Sequence, residues 1–248
     1  MDKKNAVVRN TLTAGEFIKK ADIACAFNGS SSHNNESFFN IEVADLLVEN
    51  KHIIRADFSC SRLRNITFRS INFEGTSFDH TALEGIVFER CKLNYGSFDF
   101  AQMNNVQFID CQNLRSSFNF ASGKASFTRC IAEGLELHHV QAEMNFSQCA
   151  GQCSEFNYSP DLRVCADDCD FHQSQFNDST ISGRFSHCIL SESDFLNSNC
   201  TGLDFVECKM RELNITDSIG IEIAVRDDQN DDEKFRTVFN ILEGSSED

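Results

Sequence analysis

The sequence predicts an all-β solenoid, a coil of short strands wound about one axis, and three observations predict it. The first is a cysteine column. Cys91, Cys111, Cys130, Cys149, Cys169, Cys188 and Cys208 follow one another at 20, 19, 19, 20, 19 and 20 residues. Six of the seven close the pattern FxxC, which opens at Phe88, Phe108, Phe127, Phe146, Phe185 and Phe205. The second is that these intervals divide into fives. Ala56 to Cys60, Ser61 to Asn65, Ile66 to Ser70 and Ile71 to Gly75 each have a large apolar third residue and a small or aliphatic first one. The third is composition: 24 Phe, 12 Cys, one Pro and no Trp in 248 residues. Ordinary cores use more Leu and Val, so Phe has a special structural task. Self-similarity at a fixed period marks a repeat architecture.

Each unit is justified by strand physics. Two inward residues per five, the first and the third, follow the period-two alternation of a short strand, and the others turn the corner. One coil cannot bury its inward face alone, so stacking supplies the core. The third residues sort into four faces. One stacks Phe38, Phe58, Phe78, Phe98, Phe118, Leu137, Phe156, Phe176, Phe195 and Ile215. The opposite one stacks Val48, Phe68, Phe88, Phe108, Phe127, Phe146, Ala166, Phe185 and Phe205. Two Phe ladders therefore fill the axis. A third face carries Phe73, Leu93, Asn113, Ala132, Gly151, Phe171, Leu190 and Met210. The fourth carries Leu63, Leu83, Met103, Ala142, Asp161, Ile181 and Cys200. On this fourth face three units have only four residues, Ala121 to Lys124, Val140 to Glu143 and Ser179 to Ser182, so a flattening or bend is expected there. Asp161, beside the sole proline Pro160, is expected to turn outward in a bulge that puts Leu162 inside.

These units resemble the pentapeptide-repeat family, whose units read A(D/N)LXX with the third residue central and inward. The resemblance runs from about Glu36 to Gly220 and implies a right-handed quadrilateral β-helix, four units to a square turn. About nine coils at ~4.8 Å each make a rod roughly 45 Å long.

The ends of a solenoid are β-edges that need covering. Residues 1–35 are expected to be a cap. Residues 13–27 read as a short helix opened by Thr13 and Glu16, followed by a loop over Asn28 to Asn35. Residues 221–248 are expected to form a second cap: a strand over Ile221 to Val225, an acidic turn, and a helix over Asp232 to Leu242. Its apolar stripe of Phe235, Val238, Phe239 and Leu242 suits either capping or a homodimer.

No apolar run reaches the ~18–20 residues of a membrane span, and no signal-peptide pattern opens the chain. A cytoplasmic protein is expected, with thiols kept reduced; secretion into a host cell as an effector is the alternative. The Cys column reads as small core residues, and no CxxC pair has zinc spacing. His138, His139, His172 and His187 fall at non-inward positions with no partner evident from the sequence. No phosphate-binding glycine loop or serine elbow occurs. The expectation is a protein that is not an enzyme and takes no metal and no cofactor.

Net charge is −16. Residues 1–55 are neutral, residues 56–220 carry −10 and residues 221–248 carry −6. Such a body repels nucleic acid and anionic membrane and attracts basic protein surfaces. Candidate contact residues are Asp167, Asp168, Asp170, Asp178, Glu192, Asp194, Asp204 and Glu207 of the later coils. The family resemblance implies two classes of role. Its quinolone-resistance members imitate B-form DNA and bind type II topoisomerases, DNA gyrase or topoisomerase IV; other members are translocated effectors or adaptors.

Overall fold

The computed structural model describes residues 32–222. Its named strands are β1 (Glu42–Glu49), β2 (Arg62–Arg69), β3 (Ala82–Glu84), β4 (Val87–Glu89), β5 (Gln102–Ile109), β6 (Ser122–Thr128), β7 (Gln141–Ser147), β8 (Asp161–Asp167), β9 (Ile181–Ser186), β10 (Asn199–Val206) and β11 (Ile219–Glu222). All pair in parallel with the coil above and the coil below. The other two sides of each coil pair through single parallel bridges such as Asp57↔Ser77 and Asn72↔Lys92. The result is a parallel β-solenoid of about nine turns, with no helix among the described residues. The helices expected at 13–27 and 232–242 lie outside the described residues. The loop expected over 28–35 is partly coil instead. Ser32 bridges His52, and the His33 N–H donates to the His52 carbonyl at 2.7 Å.

The five-residue unit is visible in the backbone. Asn40, Asp45, Asn50 and Arg55 have φ of 54–56°, and such a left-handed residue recurs at nearly every fifth position to Asp217. Each costs an L-residue roughly 1–2 kcal/mol. Asn and Asp bear this best, and they hold many of these corners.

Inside, the two Phe ladders pack as expected. Phe78–Phe98 and Phe98–Phe118 stack at 4.9 and 4.7 Å, while Phe98 meets Phe108 of the opposite ladder edge-on at 5.6 Å and 89°. Phe58, Phe68, Phe78, Phe88, Phe98, Phe108 and Phe118 are all fully buried.

The first residue of each unit has a second task. The Ser61 hydroxyl donates to the Phe38 carbonyl at 3.0 Å and accepts the Ile41 N–H at 3.1 Å. Thr76, Thr81, Ser116, Ser179 and Ser198 donate to a carbonyl of the preceding coil in the same way. The cysteines occupy the same position. The Cys91 thiol donates to the Phe68 carbonyl at 3.3 Å, and the Cys91 N–H donates to Cys111 Sγ at 3.4 Å. Cys91, Cys111, Cys130, Cys149, Cys169 and Cys188 are buried, and Cys208, near the last coil, is half-buried. The column thus braces coil to coil while filling space.

Two irregularities follow from unit length. Asp45, Asn65, Gly85 and Asn105 form one left-handed corner in the early coils. Where four-residue units follow, that corner opens. β7 and β8 then alternate in and out without interruption, across what are two separate faces elsewhere. This is the flattening expected on the short-unit face. Pro160 is the extra residue of its coil: Asp161 is exposed, Leu162 is buried, and Leu162 pairs with Ala142 and Ile181.

Candidate interaction surface

Outward side chains leave a solenoid at the second and fourth residues of each unit and at the corner. Among the candidate acids, Asp168, Asp178, Glu192 and Glu207 are corner residues with φ of 51–59°. Asp167, Asp170, Asp194 and Asp204 stand between corners. All but Asp170 and Asp194 are exposed, and those two are half-buried.

They do not share one side. Asp167, Asp168, Asp204 and Glu207 lie on or beside the face of Phe185 and Phe205, Asp170 and Glu192 on the next, Asp178 and Asp194 on the Phe176 face. What they share is an end of the rod. Residues 32–130 carry 11 acids and 10 bases, a net −1, whereas residues 131–220 carry 15 acids and 4 bases, a net −11. In the early half several bases are paired with acids of their own or adjacent coils. Arg69 bonds Glu49 and Glu89, one coil to either side, at 2.7 Å each. Arg129 holds Asp110 at 2.6 Å, and its guanidinium keeps that carboxyl below the usual range.

The structure gives three of the histidines partners that were not evident from the sequence, two of them by stacking. His187 sits between Asp167 at 3.1 Å and Glu207 at 3.3 Å, each twenty residues away. The hydrogen bond to the Asp167 carboxylate, supported by Glu207, raises its imidazole above the ordinary value. His172 meets Asp170 at 3.1 Å and His138 meets Glu155 at 3.2 Å. Elsewhere the acids find neutral donors: Gln152 bonds Asp170 at 2.7 Å, and Gln173 bonds Glu192 at 2.9 Å. No group of three or more His, Cys, Asp and Glu among the described residues is arranged to hold a metal ion.

A second outer feature escaped the sequence reading. His80, Phe100, Phe120, His139 and Tyr158 occupy one corner in five successive coils, and their rings stack at 4.7, 4.7, 4.7 and 5.5 Å. Phe100, Phe120 and Tyr158 remain about half exposed. The signal was available: these five residues repeat at the same 19–20-residue interval as the cysteines. Attention to the inward third residue hid the fifth.

A family model described as pentapeptide repeats matches residues 71–108 in eight copies. No curated protein matches the sequence. Among solved structures, HetL is similar, a pentapeptide-repeat protein involved in heterocyst differentiation regulation in the cyanobacterium Nostoc sp. strain PCC 7120. It is 11% identical with a TM-score of 0.46, over 84% of this chain and 97% of HetL. QnrB1, a plasmid-mediated fluoroquinolone resistance protein, is 17% identical with a TM-score of 0.46, over 85% of this chain and 96% of QnrB1. Identity is low in both cases, and no role is carried over from either. The family match, continued on both sides by the same five-residue corners from Asn35 to Asp217, makes the described rod a run of pentapeptide repeats.

Proposed function

We propose that the chain is a non-enzymatic binding rod whose later coils present the charge of a nucleic-acid backbone to a basic, DNA-binding protein surface. One observation carries the reading. The 90 residues from 131 to 220 hold a net −11. They span about four and a half coils, or roughly 22 Å at ~4.8 Å per coil. That is one net negative charge per ~2 Å of axis, close to the ~1.7 Å of duplex DNA. Averaged over the whole rod the imitation is sparse; confined to one end it is dense. Corner and mid-face acids on three sides suit a groove that wraps the rod's end. A type II topoisomerase such as DNA gyrase is the most concrete partner of this chemistry.

The test is supercoiling by purified gyrase in the presence of micromolar protein. The proposal expects inhibition of supercoiling, or protection of the enzyme from quinolones, and expects the triple variant D194K/D204K/E207K to lose most of it while keeping its β circular dichroism. If the native protein has no effect, topoisomerase is removed as the partner. An effect undiminished in the charge-reversed variant contradicts the electrostatic mechanism.

A further inference from the structure

We infer that the outer aromatic corner is a docking seam for an extended basic segment of a partner protein. The Arg or Lys stems of that segment lie across the rings, and their charged heads reach carboxylates on the adjoining Phe-ladder face. The first observation is conformational. Phe100, Phe120 and Tyr158 have φ of 57–59°, a region in which a bulky side chain is an outlier. Asn or Asp holds the same corner at Asn40, Asp178 and Asn197, so the fold itself does not ask for aromatic rings there. Strain kept against local preference points to a role for the side chain. The five rings from His80 to Tyr158 form an unbroken outer strip, four coil spacings or ~19 Å long.

The second observation is the charge beside the strip, and it selects the occupant. The face that leads into this corner, the one of Phe78 and Phe98, holds six acids at its outward positions from Asp57 to Asp194, and no Lys or Arg. The early half as a whole is different, with 10 bases to 11 acids. Four of the six acids border the rings. Asp79 and Asp99 directly precede His80 and Phe100, and Glu136 and Glu155 stand three residues before His139 and Tyr158. Glu136 is exposed and the other three are half-buried. Across the corner, Gln102, Ser122 and Gln141 are uncharged. A nucleic acid, an anionic membrane or the same corner of a second copy would bring like charge to these carboxylates. A basic segment brings the opposite charge.

The third observation is that two of the carboxylates are held in place with an oxygen to spare. Asp79 Oδ1 accepts the Ser97 hydroxyl and, at 3.1 Å, the Asp99 N–H. Asp99 Oδ1 accepts the Ser117 hydroxyl and, at 2.9 Å, the Asn119 N–H. A preorganised acceptor costs less to order on binding. Glu155 is shared with His138 at 3.2 Å. Stacked rings cover each other's faces and offer edges, so they suit aliphatic stems rather than a charge set over a ring. Arg and Lys lay such stems along apolar surface and carry the head beyond it. At ~3.3 Å per residue, about seven extended residues cover the strip. Basic residues then fall near both ends, opposite the four acids. An apolar residue falls in the middle, opposite Phe120, where Ser117 and Asn119 are neutral.

Fluorescence anisotropy of the labelled peptide RRSLSRR with the full chain at low salt tests the inference, without gyrase and so independently of the role proposed above. The native protein is expected to bind in the micromolar range. D79N/D99N should bind about fivefold more weakly and F100S/F120S about tenfold, both with unchanged circular dichroism. D168N/E207Q, on the diagonally opposite corner of the acidic end, should bind like the native protein. No binding by the native protein overturns the inference, as does undiminished binding by either of the first two variants. Equal weakening by D168N/E207Q reduces the effect to net charge and also overturns it. A native dimer that F100S/F120S abolishes gives the corner to a second copy instead. One measurement stands even if a variant folds poorly. The peptide with benzoylphenylalanine in place of leucine, irradiated with the native protein, should attach between Phe100 and His139 by mass spectrometry. Attachment confined to residues 161–220 contradicts the assignment.

Discussion

At the residue scale, one position does two tasks. The first residue of each unit must be small enough to sit against the Phe ladders and able to brace a carbonyl of the preceding coil. Ser, Thr and Cys meet both demands, which is why thiols and hydroxyls interchange there. Burial pushes the Cys200 thiol up to about 12, and contact with the Cys111 and Cys149 thiols, added to burial, holds Cys130 far above the ordinary range. Thiolate is the reactive form. Burial also closes all three of Cys130, Cys149 and Cys200 to a reagent, so at neutral pH they should stay unmodified in the folded protein while exposed Cys60 and Cys153 react, and all should react in denaturant. Peptide mass spectrometry of the labelled protein reads this directly; rapid native modification of Cys130 would contradict the ladder. Asn113 is the counter-example. It is fully buried on the Leu93 face, and its amide nitrogen and oxygen have no partner. An unmet buried polar group costs about 1–3 kcal/mol, and nothing in the structure explains its retention.

At the scale of the element, the fold was legible because the five-residue period fixes both which residues point inward and where the chain turns. The Phe and Cys columns, the bulge at Pro160 and the short-unit face all follow from counting residues. What counting could not supply was contact across coils. His187 has no acid beside it in a single unit, yet parallel stacking delivers Asp167 and Glu207 from twenty residues away. The outer aromatic corner was hidden for a related reason: a fifth residue reads as a polar turn until neighbouring coils set it against its like. The opened corner also needs transition residues. Gly123 and Gly183 have φ of 99° and 119°, and a Cβ built on either would collide with the carbonyl of Met103 or Val164 in the preceding coil. G123A should therefore destabilise the rod by about 2 kcal/mol or more, given the backbone strain alone. An alanine at neighbouring Ser122, half-buried and facing out, should cost under about 0.5 kcal/mol. Urea melts of the two variants make the comparison, and equal midpoints would show that the corner tolerates a side chain.

At the scale of the whole molecule, the rod is uniform inside and asymmetric outside. The Phe ladders run nearly its full length, but charge does not. Early coils hold acids and bases in near balance, 11 to 10, with Arg69 set between Glu49 and Glu89, so their field largely cancels. Later coils stack acids against acids, histidine and amides, and their field reaches outward. Such a body meets a basic partner end first, and its association rate should fall with salt. The central claim is that the acidic end, and not the rod at large, makes the encounter. It is tested most directly by stopped-flow association with gyrase over a series of salt concentrations, comparing D194K/D204K/E207K with the equally charged control E42K/E74K/E84K. All six acids lie outside the core, and five of them are exposed. The account predicts that the association rate of the native protein drops about tenfold or more as salt rises. It also predicts that the first variant is slow at every salt concentration, with the second close to native. Equal slowing by both variants, or a rate indifferent to salt, would contradict it.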